Sequence, residues 1–151
     1  MLIAAYLAAV VAANLSVTFF GPASAPVNAL LFIGLDLTAR DRLHAAWAGR
    51  GLKWKMGLLI LLGSLLSALL NPASARVSAA SAVAFLAAGA TDSLVYHRTG
   101  SVRRSNLAGA AVDSLLFAPL AFGGVLPLVC AGQFGAKVLG GELWARVLRH
   151  G

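Results

Sequence analysis

Residues 2–20 of this chain run without a single charged side chain. A helix needs about 20 apolar residues to cross the hydrocarbon of a bilayer. In that medium every backbone polar group must be satisfied within the segment, which leaves helices and closed barrels as the spanning structures. The runs here are too long for barrel or buried strands. The first constraint is therefore a helix that crosses a membrane, and the rest of the chain repeats it.

Five further apolar segments follow, at 26–39, 56–70, 77–96, 105–122 and 125–147. The second extends amphipathically through Asp41 towards Trp47. The breaks fall at Gly21-Pro22, Asn71-Pro72 and Gly123-Gly124, residues that end helices and make turns. Only 11% of residues are charged against 60% hydrophobic, too few for a polar surface around a soluble core. The reading is an all-α integral membrane protein, a single six-helix domain over 1–151 with no separate soluble domain. Its N-terminus, Met1-Leu2-Ile3, lacks the basic region of a cleaved signal and is read as the start of a retained first span.

The cations set the topology. Arg40, Arg42, Arg50, Lys53 and Lys55 follow segment two, Arg98, Arg103 and Arg104 follow segment four, and Arg146 and Arg149 end the chain. With six spans all ten lie on the side of the N-terminus, and the far side holds only Arg76. The positive-inside rule then puts both termini in the cytoplasm. The net charge of +7 is thus a matter of topology, and no nucleic-acid partner is expected. Cys130 is the lone cysteine, so no disulfide forms within the chain.

Against this background the five acids, Asp36, Asp41, Asp92, Asp113 and Glu142, stand out because each lies in or beside an apolar run. A charge at mid-membrane costs about 2.5–3.5 kcal/mol on insertion scales and is usually paired, inward-facing and functional. Asp113 falls midway along segment five, with Ser114 beside it and Asn106 two helical turns earlier on the same face. Lys137 falls midway along segment six, with Gln133 one turn away. Segments five and six are joined tightly and run antiparallel, so Asp113 and Lys137 are expected to face each other. Apolar residues would pack there at less cost than an ion pair, which points to a ligand cavity. Asn14 is expected on its wall.

Asp36 and Asp92 lie near the cytoplasmic ends of their segments and are open between pairing with loop cations and lining a cavity. Asp41, between Arg40 and Arg42, reads as interfacial charge balance. Glu142 is spaced to pair with Arg146 along a helix. Ala4, Ala8 and Ala12, like Ala5, Ala9 and Ala13, repeat every four residues, as helices do where backbones approach closely in lipid. They serve either packing inside the bundle or docking of another subunit.

No catalytic constellation, phosphate-binding glycine loop or metal-ligand spacing is present. His44, His97 and His150 are scattered at interfacial positions. No enzyme activity, ATPase, metal or cofactor is expected.

Asp36-Leu37-Thr38-Ala39-Arg40, the stretch from Asn106 through Asp113-Ser114 to Phe117, Ala121-Phe122-Gly123, and Gln133 four residues before Lys137 together resemble the queuosine precursor transporter family. These are vitamin-uptake-transporter-like carriers of 7-cyano-7-deazaguanine or its aminomethyl relative. The resemblance implies six helices arranged like the substrate-binding S components of energy-coupling-factor transporters, whose docking face the alanines of segment one resemble. It implies a substrate site with Asp113 accepting from the ring edge, Asn106 or Gln133 completing it, and Phe117 or Phe134 as a wall. An S-like binding subunit for another vitamin and a small scaffold without a ligand are the alternatives.

Overall fold

The computed structural model describes residues 2–47, 51–124 and 126–147, without the side chains of Leu37, Asp41, His44, Lys53 and Ala145. The readings of Asp41, His44, Arg50, Lys53, Arg149 and His150 therefore lie outside what is described. Among the described residues there are helices and tight turns and no strand. The described residues form six helices: α1 Leu2–Phe20, α2 Pro22–Trp47, α3 Leu52–Leu70, α4 Pro72–Thr99, α5 Val102–Phe122 and α6 Pro127–Val147.

These helices coincide with the six apolar segments, and the polar extensions lengthen them. The second segment continues as helix to Trp47, as its amphipathic extension predicts, so Arg40 and Arg42 are helical residues. Four helices, α1, α2, α4 and α5, are long and apolar enough to cross a membrane. A shorter apolar stretch, Trp54–Leu70, lies in α3. Helix α6, interrupted by Lys137, Glu142 and Arg146, is not among them.

The turns follow from local chemistry. Gly21 at φ 73° and Gly123 at φ 82° end α1 and α5 in the left-handed region, where a side chain would be strained. Pro22 and Pro72 open the next helices, where a missing N–H costs nothing. Ser101 caps α5 by accepting from the Arg104 amide at 3.4 Å. Helix α2 contains one π turn, Ala29–Ile33, in which the Gly34 N–H reaches back five residues to the Ala29 carbonyl.

The helices close a ring in the order α1, α2, α6, α5, α4, α3 and back to α1, with α4 and α5 the most extensively paired. Their apolar contacts form two clusters, one around Tyr6, Val10, Ile33 and Leu59 and one around Val17, Val77, Ala84 and Phe117. Small residues set the closest crossings. A Cβ on Gly34 would lie 2.6 Å from the Gly140 carbonyl carbon, and one on Gly140 would collide with the Leu30 carbonyl oxygen, so α2 and α6 touch through backbone. On α1, Ala9 and Ala13 are buried in the ring, whereas Ala4 and Ala8 are exposed and Ala12 is half-buried. Leucines of α3 such as Leu61, Leu65 and Leu69 point outward, the arrangement a lipid-facing helix needs.

Candidate functional site

Asp113 and Lys137 each occupy the middle of their helix and meet inside the ring. The Lys137 Nζ lies 2.8 Å from Asp113 Oδ2, and both residues are buried. The same ammonium donates to Ser114 Oγ at 3.1 Å and to Gln133 Oε1 at 3.3 Å. Ser114 passes its own proton to the Ala110 carbonyl at 2.8 Å, which leaves its lone pairs facing lysine. All three ammonium donors thus have an acceptor. An isolated buried ammonium would be costly, and three acceptors including a carboxylate offset part of that cost.

This cluster borders a cavity in the centre of the ring. Its polar wall is Asn14, Asn28, Ser81, Asp113, Gln133 and Lys137, and Phe85, Phe117 and Ile33 supply apolar faces. Asn14 is held by donation from Nδ2 to Ser67 Oγ at 3.1 Å, and Ser67 in turn donates to the Gly63 carbonyl at 2.8 Å. Asn28 accepts from Ser16 Oγ at 3.0 Å and donates to Ser24 Oγ at 3.3 Å. Phe117 is braced edge-on by Phe122, ring centroids 5.9 Å apart. The room left for the centres of water molecules is about 30 Å³. A single water needs roughly 10–15 Å³ on that measure. The chamber is thus closed down to the size of a water or two.

A second, open chamber of about 850 Å³ lies between the Arg-rich ends of α2, α5 and α6. Lys137 borders both chambers, and among the described residues it is the one their linings share.

The residues singled out in the sequence divide accordingly. Asp113, Ser114, Phe117, Gln133, Lys137 and Asn14 assemble at the central cavity, Ser114 through its bond to Lys137. Asn106 shares the Asp113 face of α5 but opens onto the second chamber, and Phe134 borders neither. Asp36 and Asp92 are buried yet line neither chamber. Asp92 packs beside Gly109, with its Cβ 3.5 Å from where a Gly109 side chain would begin. Its Oδ1 is buried without a hydrogen bond among the described residues. Glu142 does meet Arg146, but at 4.0 Å and with both side chains well exposed, a contact of little energetic weight.

Sequence reasoning passed over Tyr6 and Arg40. Both are buried, and the Tyr6 phenol lies within electrostatic reach of Asp36, Arg40 and Asp113. The i,i+4 spacing of Asp36 and Arg40 was the available signal. Ser67 and Ser81 carried none, because a serine in a hydrophobic helix usually bonds its own backbone.

No cluster of three or more potential metal ligands occurs among the described residues. The chain matches no protein-family model, no curated protein and no solved structure.

Proposed function

We propose that this chain is a six-span importer of a queuosine precursor, 7-cyano-7-deazaguanine or a related 7-deazapurine, in a bacterial inner membrane with both termini cytoplasmic. It moves its cargo without an ATPase of its own. The single observation that carries a transport reading is the Lys137–Asp113 pair, 2.8 Å long and buried with Ser114 and Gln133 on the wall of a central cavity. Such a group of charges inside apolar helices is costly unless something polar passes or binds there. The deazapurine follows from the resemblance in the sequence and from chemistry. Its N1–H and exocyclic amine are adjacent donors that one carboxylate accepts together. As they engage Asp113, Lys137 turns to the ring carbonyl while Ser114 and Gln133 keep it in place.

The cavity as it stands, with about 30 Å³ for the centres of water molecules, is smaller than a bicyclic base. Admission requires helices to part, and the α2–α6 contact beside the π turn is the seam where α2 already departs from regular helix.

A second reading, an S-like binding subunit energised by a partner, is favoured by the exposed Ala4 and Ala8. Uptake of labelled 7-cyano-7-deazaguanine in cells that lack both their own importer and any energy-coupling module separates the two. The chain alone is expected to restore uptake, and Asp113→Asn to reduce it by about tenfold or more, the loss of a charge-assisted bond. Uptake unchanged by Asp113→Asn would overturn the assignment.

A further inference from the structure

The open chamber at the Arg-rich end has its own chemistry. Arg42 enters from α2, Arg103 and Asn106 from the first turns of α5, and Arg146 from α6, with Lys137 at the back. Glu142 is the one carboxylate on its lining among the described residues, and it leans on Arg146. The Arg103 side chain makes no hydrogen bond or ion pair with another described residue. The start of α5 contributes backbone N–H groups as well, of which Ser101 satisfies that of Arg104. Leu107 and Val138 add an apolar wall behind this positive mouth.

We propose that this chamber is a binding site for a phosphate-type anion, a phosphate monoester or diester whose organic part rests on the apolar wall. The planar guanidinium fork matches phosphate oxygens in pairs, and a helix N-terminus favours the same charge. Arg103 and Arg146 grip the phosphate at the mouth of the chamber. The ester reaches the site either from water, as a phosphorylated small molecule, or from the bilayer, as an anionic lipid headgroup. The proposal does not rest on the deazapurine reading.

The test uses the whole chain in nanodiscs of phosphatidylcholine, titrated with inorganic phosphate and glycerol 3-phosphate while binding is followed calorimetrically. A parallel sample in nanodiscs containing phosphatidylglycerol is examined for lipid retained in native mass spectra. Saturable binding of the soluble esters identifies an aqueous ligand, and retention of phosphatidylglycerol alone identifies a lipid. Either outcome supports the site if Arg103→Gln with Arg146→Gln weakens it by about tenfold or more while Arg104→Gln does not. Arg104 is the exposed neighbour that does not line the chamber. Helicity by circular dichroism identifies variants that keep their fold. If the unaltered chain neither binds the soluble esters saturably nor retains phosphatidylglycerol, or if Arg104→Gln weakens binding equally, the proposal is overturned. Failure of deazapurine uptake leaves it standing.

Discussion

The Lys137 ammonium sits 2.8 Å from Asp113 Oδ2, and Lys137 borders both the small central cavity and the large chamber at the Arg-rich end. Each partner makes the other's burial tolerable. Removing one leaves an uncompensated charge, which costs about 3–5 kcal/mol at a buried pair. Asp113→Asn and Lys137→Gln are each expected to lose that much stability in nanodiscs. The double variant should lose clearly less than the sum, because neither charge is then stranded. Unfolding measured across the four proteins checks this, and strictly additive losses would show that the two groups do not depend on each other.

Gly140 tests the seam between α2 and α6. A methyl there meets the Leu30 carbonyl, so Gly140→Ala must push two helices apart. Overpacking of this kind costs about 1–3 kcal/mol. Gly135, on the same helix, has nothing within 4 Å of its would-be Cβ. Gly135→Ala should therefore be stabilising by about 0.5–1 kcal/mol through helix propensity. Melting temperatures moving in opposite directions for the two variants is the expected result. Movement in the same direction would place the close contact elsewhere.

Arg40 and Arg42 are neighbours in sequence with different surroundings. Arg40 is 7% exposed, on the α2 face near Tyr6 and Asp36, and Arg42 is exposed at the mouth of the open chamber. Arg40→Gln strips the charge from a buried group and should cost more than about 2 kcal/mol, whereas Arg42→Gln should stay within about 0.5 kcal/mol. Chemical unfolding of both variants under one set of conditions checks the contrast, and equal losses would contradict the burial of Arg40.

The helical segments and the Asp113–Lys137 encounter were legible in the sequence because lipid imposes severe rules. Apolar length marks a helix, glycine and proline mark its end, and a charge at its middle must find a partner on a neighbour. What was not legible depends on rotation about a helix axis. Asn106 and Asp113 share a face by spacing, yet they lie two turns apart along α5, and one borders the large chamber and the other the central cavity. The amphipathic extension of segment two towards Trp47 is helical as read, but Arg40, grouped with the cations that follow the segment, is turned inward by that helix. The π turn at Ala29–Ile33 left no signal in residue type, since Ala-Leu-Leu-Phe-Ile suits a regular helix equally well.

Asn14 reaches from α1 to Ser67 on α3 with a 3.1 Å bond from its amide nitrogen, and this bond fixes how the amide presents itself to the central cavity. Hydrogen bonds between membrane helices contribute about 0.6 kcal/mol on average, with a maximum near 1.7. A double-mutant cycle with Asn14→Ala and Ser67→Ala should therefore return a coupling of about 0.6 kcal/mol, small but measurable. The two single variants differ in a further respect. Ser67 lies behind the cavity wall and still donates to Gly63, so Ser67→Ala releases the Asn14 amide without enlarging the cavity. Asn14→Ala removes part of the wall itself. On the transport reading, Asn14→Ala should raise the apparent KM for the deazapurine more than Ser67→Ala does, while both keep their helicity. A coupling near zero would mean that the α1–α3 bond does not form in the bilayer. A larger effect from Ser67→Ala would mean that the amide's orientation, rather than its presence, governs access to the site.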